Sequence, residues 1–161
     1  MSDMVPFTPE ELRAAFGRYA TGVTVITTCT PEGPLGITAN SFSSVSLDPP
    51  LLMWMPAKSS RRYRPFTECT RFAVHVMAAA QKDTSSLFVR DGNPFDQLHW
   101  HEGPEGTPLI EGCLARFLCE TYAVHDAGDH SIVLGRILDA EHQEGPPLVF
   151  AGGKYGAFSE H

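Results

Sequence analysis

A mainly β domain with short peripheral helices, its strands closing into a barrel, is the architecture this sequence predicts, on three observations. Val23 to Cys29 is rich in β-branched residues, and a second extended run, Leu35 to Phe42, follows the turn signal Pro31-Glu32-Gly33-Pro34. Two longer strand candidates, Cys113 to His125 and Ser131 to His142, flank Asp126-Ala127-Gly128-Asp129, whose Gly and Asp residues suit a hairpin turn. Helical periodicity with cap signals is confined to short segments. Several antiparallel strands with few helices point to closure, which removes exposed strand edges.

Taken in order, Thr8-Pro9-Glu10-Glu11 is a capping box with proline at the first helical position, and Leu12, Ala15, Phe16 and Tyr19 recur at helical spacing. An N-terminal amphipathic helix follows. After the first hairpin, Val45-Ser46-Leu47 and Leu51 to Met55 read as strands separated by Asp48-Pro49-Pro50, where two prolines cannot donate to a ladder. Lys58-Ser59-Ser60 opens a polar segment expected to begin a serine-capped helix running toward Phe66. Phe72 to Val76 resumes strand character. Gln81 to Val89 suits a helix ended by Asp91-Gly92-Asn93-Pro94, and Phe95 to Pro108 is expected to be a loop. No repeat or linker divides the chain, so residues 1–161 are read as one domain.

The 161 residues suffice for a single core that buries about two thirds of the unfolded chain's surface. A hydrophobic share of 42% and a charged share of 19% are those of a globular protein. The longest apolar runs are far too short to cross a bilayer, and the N-terminus lacks the basic start and apolar stretch of a signal peptide, so a cytoplasmic protein is expected. A net charge of −7 argues against a general nucleic-acid or anionic-membrane surface. Locally, however, Lys58, Arg61, Arg62, Arg64 and Arg71 crowd one stretch, which suits either a solvated face or attraction of a phosphate. Cys29, Cys69, Cys113 and Cys119 form no C-x-x-C pair and read as reduced core or strand thiols. His99 and His101 could share a strand face, but no third ligand stands at suitable spacing and no metal site is assigned.

Chemistry is suggested by Gly36-Ile37-Thr38-Ala39-Asn40-Ser41-Phe42, where small and hydroxylated residues interrupt an apolar strand. Small side chains let a flat ligand approach the backbone, while Thr38, Asn40 and Ser41 carry donors and acceptors for a polar ring edge. A polar outward strand face explains the same pattern. Ser59 and Ser60, at the expected helix start, offer hydroxyls and amides of the anion-binding kind, with Lys58 and Arg61 adding charge; an ordinary serine cap is the alternative.

Together these segments resemble the short-chain flavin reductase family, the reductase components of two-component flavin-dependent monooxygenases. The resemblance runs from Phe16-Gly17-Arg18-Tyr19-Ala20-Thr21-Gly22-Val23-Thr24-Val25 through Gly36 to Phe42 and Ser46-Leu47-Asp48-Pro49-Pro50-Leu51-Leu52. It continues through Phe72 to Val76, Phe95-Asp96-Gln97-Leu98, Gly128-Asp129-His130-Ser131-Ile132-Val133-Leu134-Gly135 and Pro147 to Phe150, ending at Gly153-Lys154-Tyr155-Gly156. It implies a split β-barrel homodimer that binds FMN or FAD, takes hydride from NADH or NADPH and supplies reduced flavin to a partner monooxygenase. Carried over by position, Thr38, Ala39, Asn40 and Ser41 would line the isoalloxazine and ribityl chain with Ser46 close by. Ser59 and Ser60 would hold the phosphate with Lys58 or Arg61. His130 would be the catalytic residue on the nicotinamide side, and Tyr155 would stand near the same opening. Rival readings are a flavin-bound reductase of a corrinoid or iron complex and a non-catalytic flavin- or haem-binding split barrel.

Overall fold

The computed structural model describes residues 6–161. Its elements are α1 (Pro9–Phe16), β1 (Thr21–Gly22), β2 (Thr24–Thr30), β3 (Gly33–Ala39), β4 (Ser43–Leu47), β5 (Pro50–Trp54), α2 (Tyr63–Glu68), β6 (Arg71–Val76) and α3 (Lys82–Arg90). They continue with β7 (Trp100–Glu102), β8 (Pro108–Ile110), β9 (Ala115–Ala127), β10 (His130–His142), β11 (Leu148–Ala151) and β12 (Lys154–Ala157). Seven strands form the main sheet in the order β3-β2-β6-β9-β10-β5-β4, with every neighbouring pair antiparallel.

Strand count alone points to closure, which the pairing corrects; the split barrel that the family resemblance implies is the one observed. β3 and β4 follow one another in sequence, yet they are the two opposite edges of the sheet and do not pair. The link Asn40-Ser41-Phe42 carries the chain from one edge to the other. It is therefore the segment that crosses the split.

Alternation along each strand divides the apolar residues between two cores, because successive side chains point to opposite faces. Ile26, Leu52, Trp54, Phe66, Phe72, Val74, Cys119 and Val133 form one cluster, while Val25 joins Val23, Met77, Phe88, Phe95, Ile110, Cys113 and Leu148 on the other side. Gly135 permits close strand packing, since a Cβ there would lie 2.5 Å from the Phe72 ring. Deep in the second layer, His75 on β6 is fully buried.

The capping box of α1 forms as expected: the Glu11 amide donates to Thr8 Oγ1 at 3.1 Å and the Thr8 amide donates to the Glu11 carboxylate at 2.8 Å. The helix stops at Phe16, and none of its residues is buried; Phe16 and, beyond it, Tyr19 are exposed. Two further expectations are corrected. The helix expected from Ser60 begins only at Tyr63, because Ser60 Oγ accepts from the Arg62 amide at 3.1 Å and shapes a turn first. Phe95 to Pro108 is not a structureless loop: it contains a short 3-10 turn and contributes β7 to a two-stranded ladder with β8. Strands of three residues carry too little alternation to be seen among glycines and prolines. A third sheet, β1-β11-β12, turns at Gly152 and Gly153, both at positive φ. That conformation is open to glycine at little cost.

Candidate functional site

The end of β5 gathers several of the candidate residues. Ser41 Oγ accepts from the Met55 amide at 3.0 Å, which ties the split-crossing link to the residue just after β5. Two residues on, Ala57 bridges His130 at the start of β10, and the Lys58 amide donates to the Asp129 carbonyl at 2.9 Å. The Ser131 amide donates to the Pro56 carbonyl, and the Tyr63 and Ser131 hydroxyls meet at 2.5 Å. Thus Ser41, the turn Lys58-Ser59-Ser60-Arg61 and the β9–β10 hairpin tip are joined by backbone and side-chain bonds within a few residues of one another.

A second set of bonds centres on α3. Thr38 Oγ1 donates to the Ser85 carbonyl at 2.6 Å, and the Ser85 hydroxyl, itself fully buried, lies 3.0 Å from Tyr155 Oη. Lys82 sits over the Tyr155 ring at 5.8 Å. Arg62 joins the two sets by donating to the Gly36 carbonyl at 3.0 Å on β3 and to the Phe88 carbonyl at 2.5 Å on α3. Partial burial lowers the pKa of its guanidinium, which these carbonyls hold in place. Tyr155 therefore connects to Thr38 through Ser85, whereas His130 connects to the Lys58 turn; no hydrogen bond joins Tyr155 to His130 among the described residues.

The structure sorts the candidate residues by what their polar groups already hold. Thr38, Ser41, Ser60 and Tyr155 have hydroxyls engaged within the protein, and the Ala39 carbonyl accepts from Thr24 Oγ1 at 2.6 Å. Asn40, Ser59 and Arg61 are exposed and Ser46 is half-buried, and the side chains of these four enter no hydrogen bond or ion pair among the described residues. Of the five clustered cations, Lys58 pairs with Asp126, Arg64 with Glu68 and Arg71 with Glu105, while Arg62 turns inward. Among the described residues Arg61 is left without a partner, two positions along the chain from Ser59. An unpaired guanidinium and an exposed hydroxyl two residues apart on one turn suit a phosphate group, and unengaged amide and hydroxyl groups at the split suit a polar ring edge or ribityl chain. The residues present therefore fit a flavin nucleotide. Helix-terminal amides are not the source of that fit, because the Ser60 amide donates to the Ala57 carbonyl and α2 begins later.

His130 is held by Asp129, whose carboxylate oxygen lies 2.8 Å from Nδ1 and leaves Nε2 free. The hydrogen bond to His130, supported by its charge, lowers the Asp129 carboxyl pKa. Lys58 is raised chiefly by its hydrogen bond to Asp126. Sequence reasoning missed Ser85, Arg62 and Asp129 as organisers of this region. Arg62 was visible only as part of a basic run, and nothing in a single serine of α3 marks it as a junction.

Residues 16–159 match the model of the flavin reductase like domain. The chain is 56% identical over 147 residues to the FMN reductase (NADH) SmoA of Agrobacterium fabrum, covering 91% of this chain and 84% of that protein. It is 51% identical over 129 residues to the reductase component of the flavin-dependent trigonelline monooxygenase of Acinetobacter baylyi, covering 79% of this chain but only 42% of that longer protein. Among solved structures, the NADH:FAD oxidoreductase SgcE6 of Streptomyces globisporus superposes with a TM-score of 0.89 at 35% identity, over 98% of this chain and 99% of that one.

Proposed function

The chain belongs to the flavin reductase like domain family, and we propose that it transfers hydride from NADH or NADPH to FMN or FAD and delivers the reduced flavin to a partner monooxygenase. The observation that carries this reading is the junction at the end of β5, where Ser41, Lys58 and the start of the His130 strand are tied to neighbouring backbone, while the side chains of Asn40, Ser46, Ser59 and Arg61 stay unengaged among the described residues. The Agrobacterium fabrum relative, matched over 84% of its own length, is itself named for NADH and FMN.

When bound, the flavin supplies the electron-accepting chemistry and the nicotinamide supplies the hydride, so the protein's work is to position and to screen. Ser59 and Arg61, with Ser60 and Lys58 shaping the turn, hold the phosphate. Thr38 to Ser41 present backbone and small side chains to the ring system, and Asn40 and Ser46 donate or accept at its polar edge. Asp129 fixes the His130 ring so that Nε2 faces outward as a donor or acceptor toward the nicotinamide side. Tyr155, fastened to Ser85, closes the Thr38 end.

The protein acts as a homodimer in the cytoplasm. Support for a second copy comes from exposed apolar side chains on the edge strand and the N-terminal segment: Leu47 is 96% exposed, Tyr19 79% and Phe16 68%. Among the described residues no helix is long and apolar enough to cross a membrane. The direct test is to supply the purified chain with excess FMN and follow NADH or NADPH oxidation over many turnovers. Saturable flavin binding without any nicotinamide oxidation would remove the reductase reading and leave a binding protein.

A further inference from the structure

A cleft of about 520 Å³ opens at the end of the barrel that carries the β2–β3 turn, bounded by that turn, α2, the start of β6 and the segment before β8. It shares no residue with the segments assigned to the flavin. Two of its lining residues carry buried polar atoms without a hydrogen-bond partner: Thr107 Oγ1, on a residue only 1% exposed, and Arg71 Nε. The latter lies 3.3 Å from a Glu105 carboxylate oxygen but lacks the alignment of a hydrogen bond. Leaving a buried polar atom unmatched is costly, so two in one cleft call for an occupant.

The charges around the cleft define what that occupant carries. Arg64 pairs with Glu68 and Arg71 meets Glu105, while Glu32, also in the wall, enters no ion pair among the described residues. An anion alone would face three carboxylates against two guanidiniums. A cation alone could donate to Thr107 Oγ1 but would leave the Arg71 Nε donor unmatched. We propose that the cleft binds a small zwitterion, an ammonium carboxylate of amino-acid size, with its carboxylate taken by Arg71 and Thr107 and its cationic end by Glu32. A site of this volume is of ordinary size for a small-molecule pocket.

Cys29 reports on occupancy, because it lines the same cleft and is exposed, whereas Cys113 and Cys119 are buried and Cys69 is partly so. The experiment measures the rate of Cys29 alkylation by mass spectrometry in the full chain. Probes are the standard amino acids and glycine betaine, with acetate and tetramethylammonium as single-charge controls. At a probe concentration twice its dissociation constant, labelling should slow roughly threefold, since only the unbound fraction reacts. At least one zwitterion should do this while neither control does. The protection should vanish in Glu32→Gln, an exposed turn position that leaves the fold intact, and in Thr107→Val, which keeps the shape and removes the hydroxyl. An unchanged rate with every zwitterion would overturn the proposal and leave ordered water as the partner of Thr107. Equal protection by acetate, or protection that survives both substitutions, would overturn it as well. None of these outcomes depends on flavin binding.

Discussion

His75 makes the stability of this protein depend on pH in a way that can be worked from its surroundings. The ring is fully buried on β6, with Nδ1 2.9 Å from the Val25 carbonyl and Nε2 accepting from the Ile110 amide at 3.0 Å. Because Nε2 receives a hydrogen bond, the proton must sit on Nδ1, and the neutral imidazole satisfies both partners. A second proton would face the Ile110 N–H and carry an unpaired charge into the core. Burial, opposed by the Val25 hydrogen bond and reinforced by the Arg116 charge, lowers the pKa from 6.5 to about 4. The unfolded chain thus takes up a proton near pH 6.5, while the folded protein resists until about pH 4. Stability is unaffected by this group above pH 6.5 and falls as the pH drops from there to 4. With about 1.4 kcal/mol per pH unit, the loss reaches roughly 3 kcal/mol, a large part of the 5–15 kcal/mol typical of a domain. Urea denaturation at constant ionic strength across pH 7 to 4 measures it. His75→Gln offers a donor and an acceptor that do not titrate, so subtracting its slope from that of the unmodified protein cancels the other histidines and carboxylates. Parallel slopes for the two proteins, or a His75 titration observed by NMR near pH 6.5, would refute the reasoning.

Replacing Ser59 and Ser60 together by alanine should weaken FMN much more than riboflavin, which has no phosphate; equal weakening in fluorescence titration would place the phosphate elsewhere. His130→Ala should retain flavin and lose about tenfold in nicotinamide oxidation, corresponding to about 1.4 kcal/mol of lost orientation in the transition state, and an unchanged rate would remove the role given to His130 alone. Light scattering should give about twice the 17.6 kDa chain mass, and a monomer with flavin fully bound would contradict the dimer.

What could be read in the sequence was what local chemistry decides. The capping box at Thr8, the β2–β3 hairpin around Glu32 and Gly33, and the β9–β10 hairpin turning at Gly128 and Asp129 all follow from patterns a few residues long. Misreadings arose where a residue's partner lies far along the chain or where an element is very short. Ser60 looked like a helix cap because its hydroxyl can cap; in the fold it bonds the Arg62 amide two residues on, and Arg62 is drawn inward by carbonyls 26 residues away at both Gly36 and Phe88. Closure of the barrel was an inference from strand number, but edges are set by pairing order. The pairing of β3 with β2 and of β4 with β5 shows that the Asn40 to Phe42 link spans the split, a gap that the family resemblance implied but no local pattern located.

That gap changes the meaning of the polar residues on either side of it. Had β3 and β4 paired, Thr38, Asn40, Ser41 and Ser46 would read as a hydroxyl-rich strand face. Instead, Thr38 and Ser41 hold the rim by bonding Ser85 and Met55, and Asn40 and Ser46 remain available along it. The two groups should respond differently to substitution. Removing the Thr38 or Ser41 hydroxyl leaves a buried or half-buried partner unmatched, so it should lower stability by about 1 kcal/mol as well as loosen the rim. Removing the Asn40 or Ser46 side-chain polar group breaks no bond in the protein, so whatever it changes must come through the ligand. Comparing the thermal stabilities of Ser41→Ala and Ser46→Ala without flavin therefore tests the division itself: the first should melt at lower temperature and the second should not. Equal melting temperatures would show that Ser41 does not hold the rim.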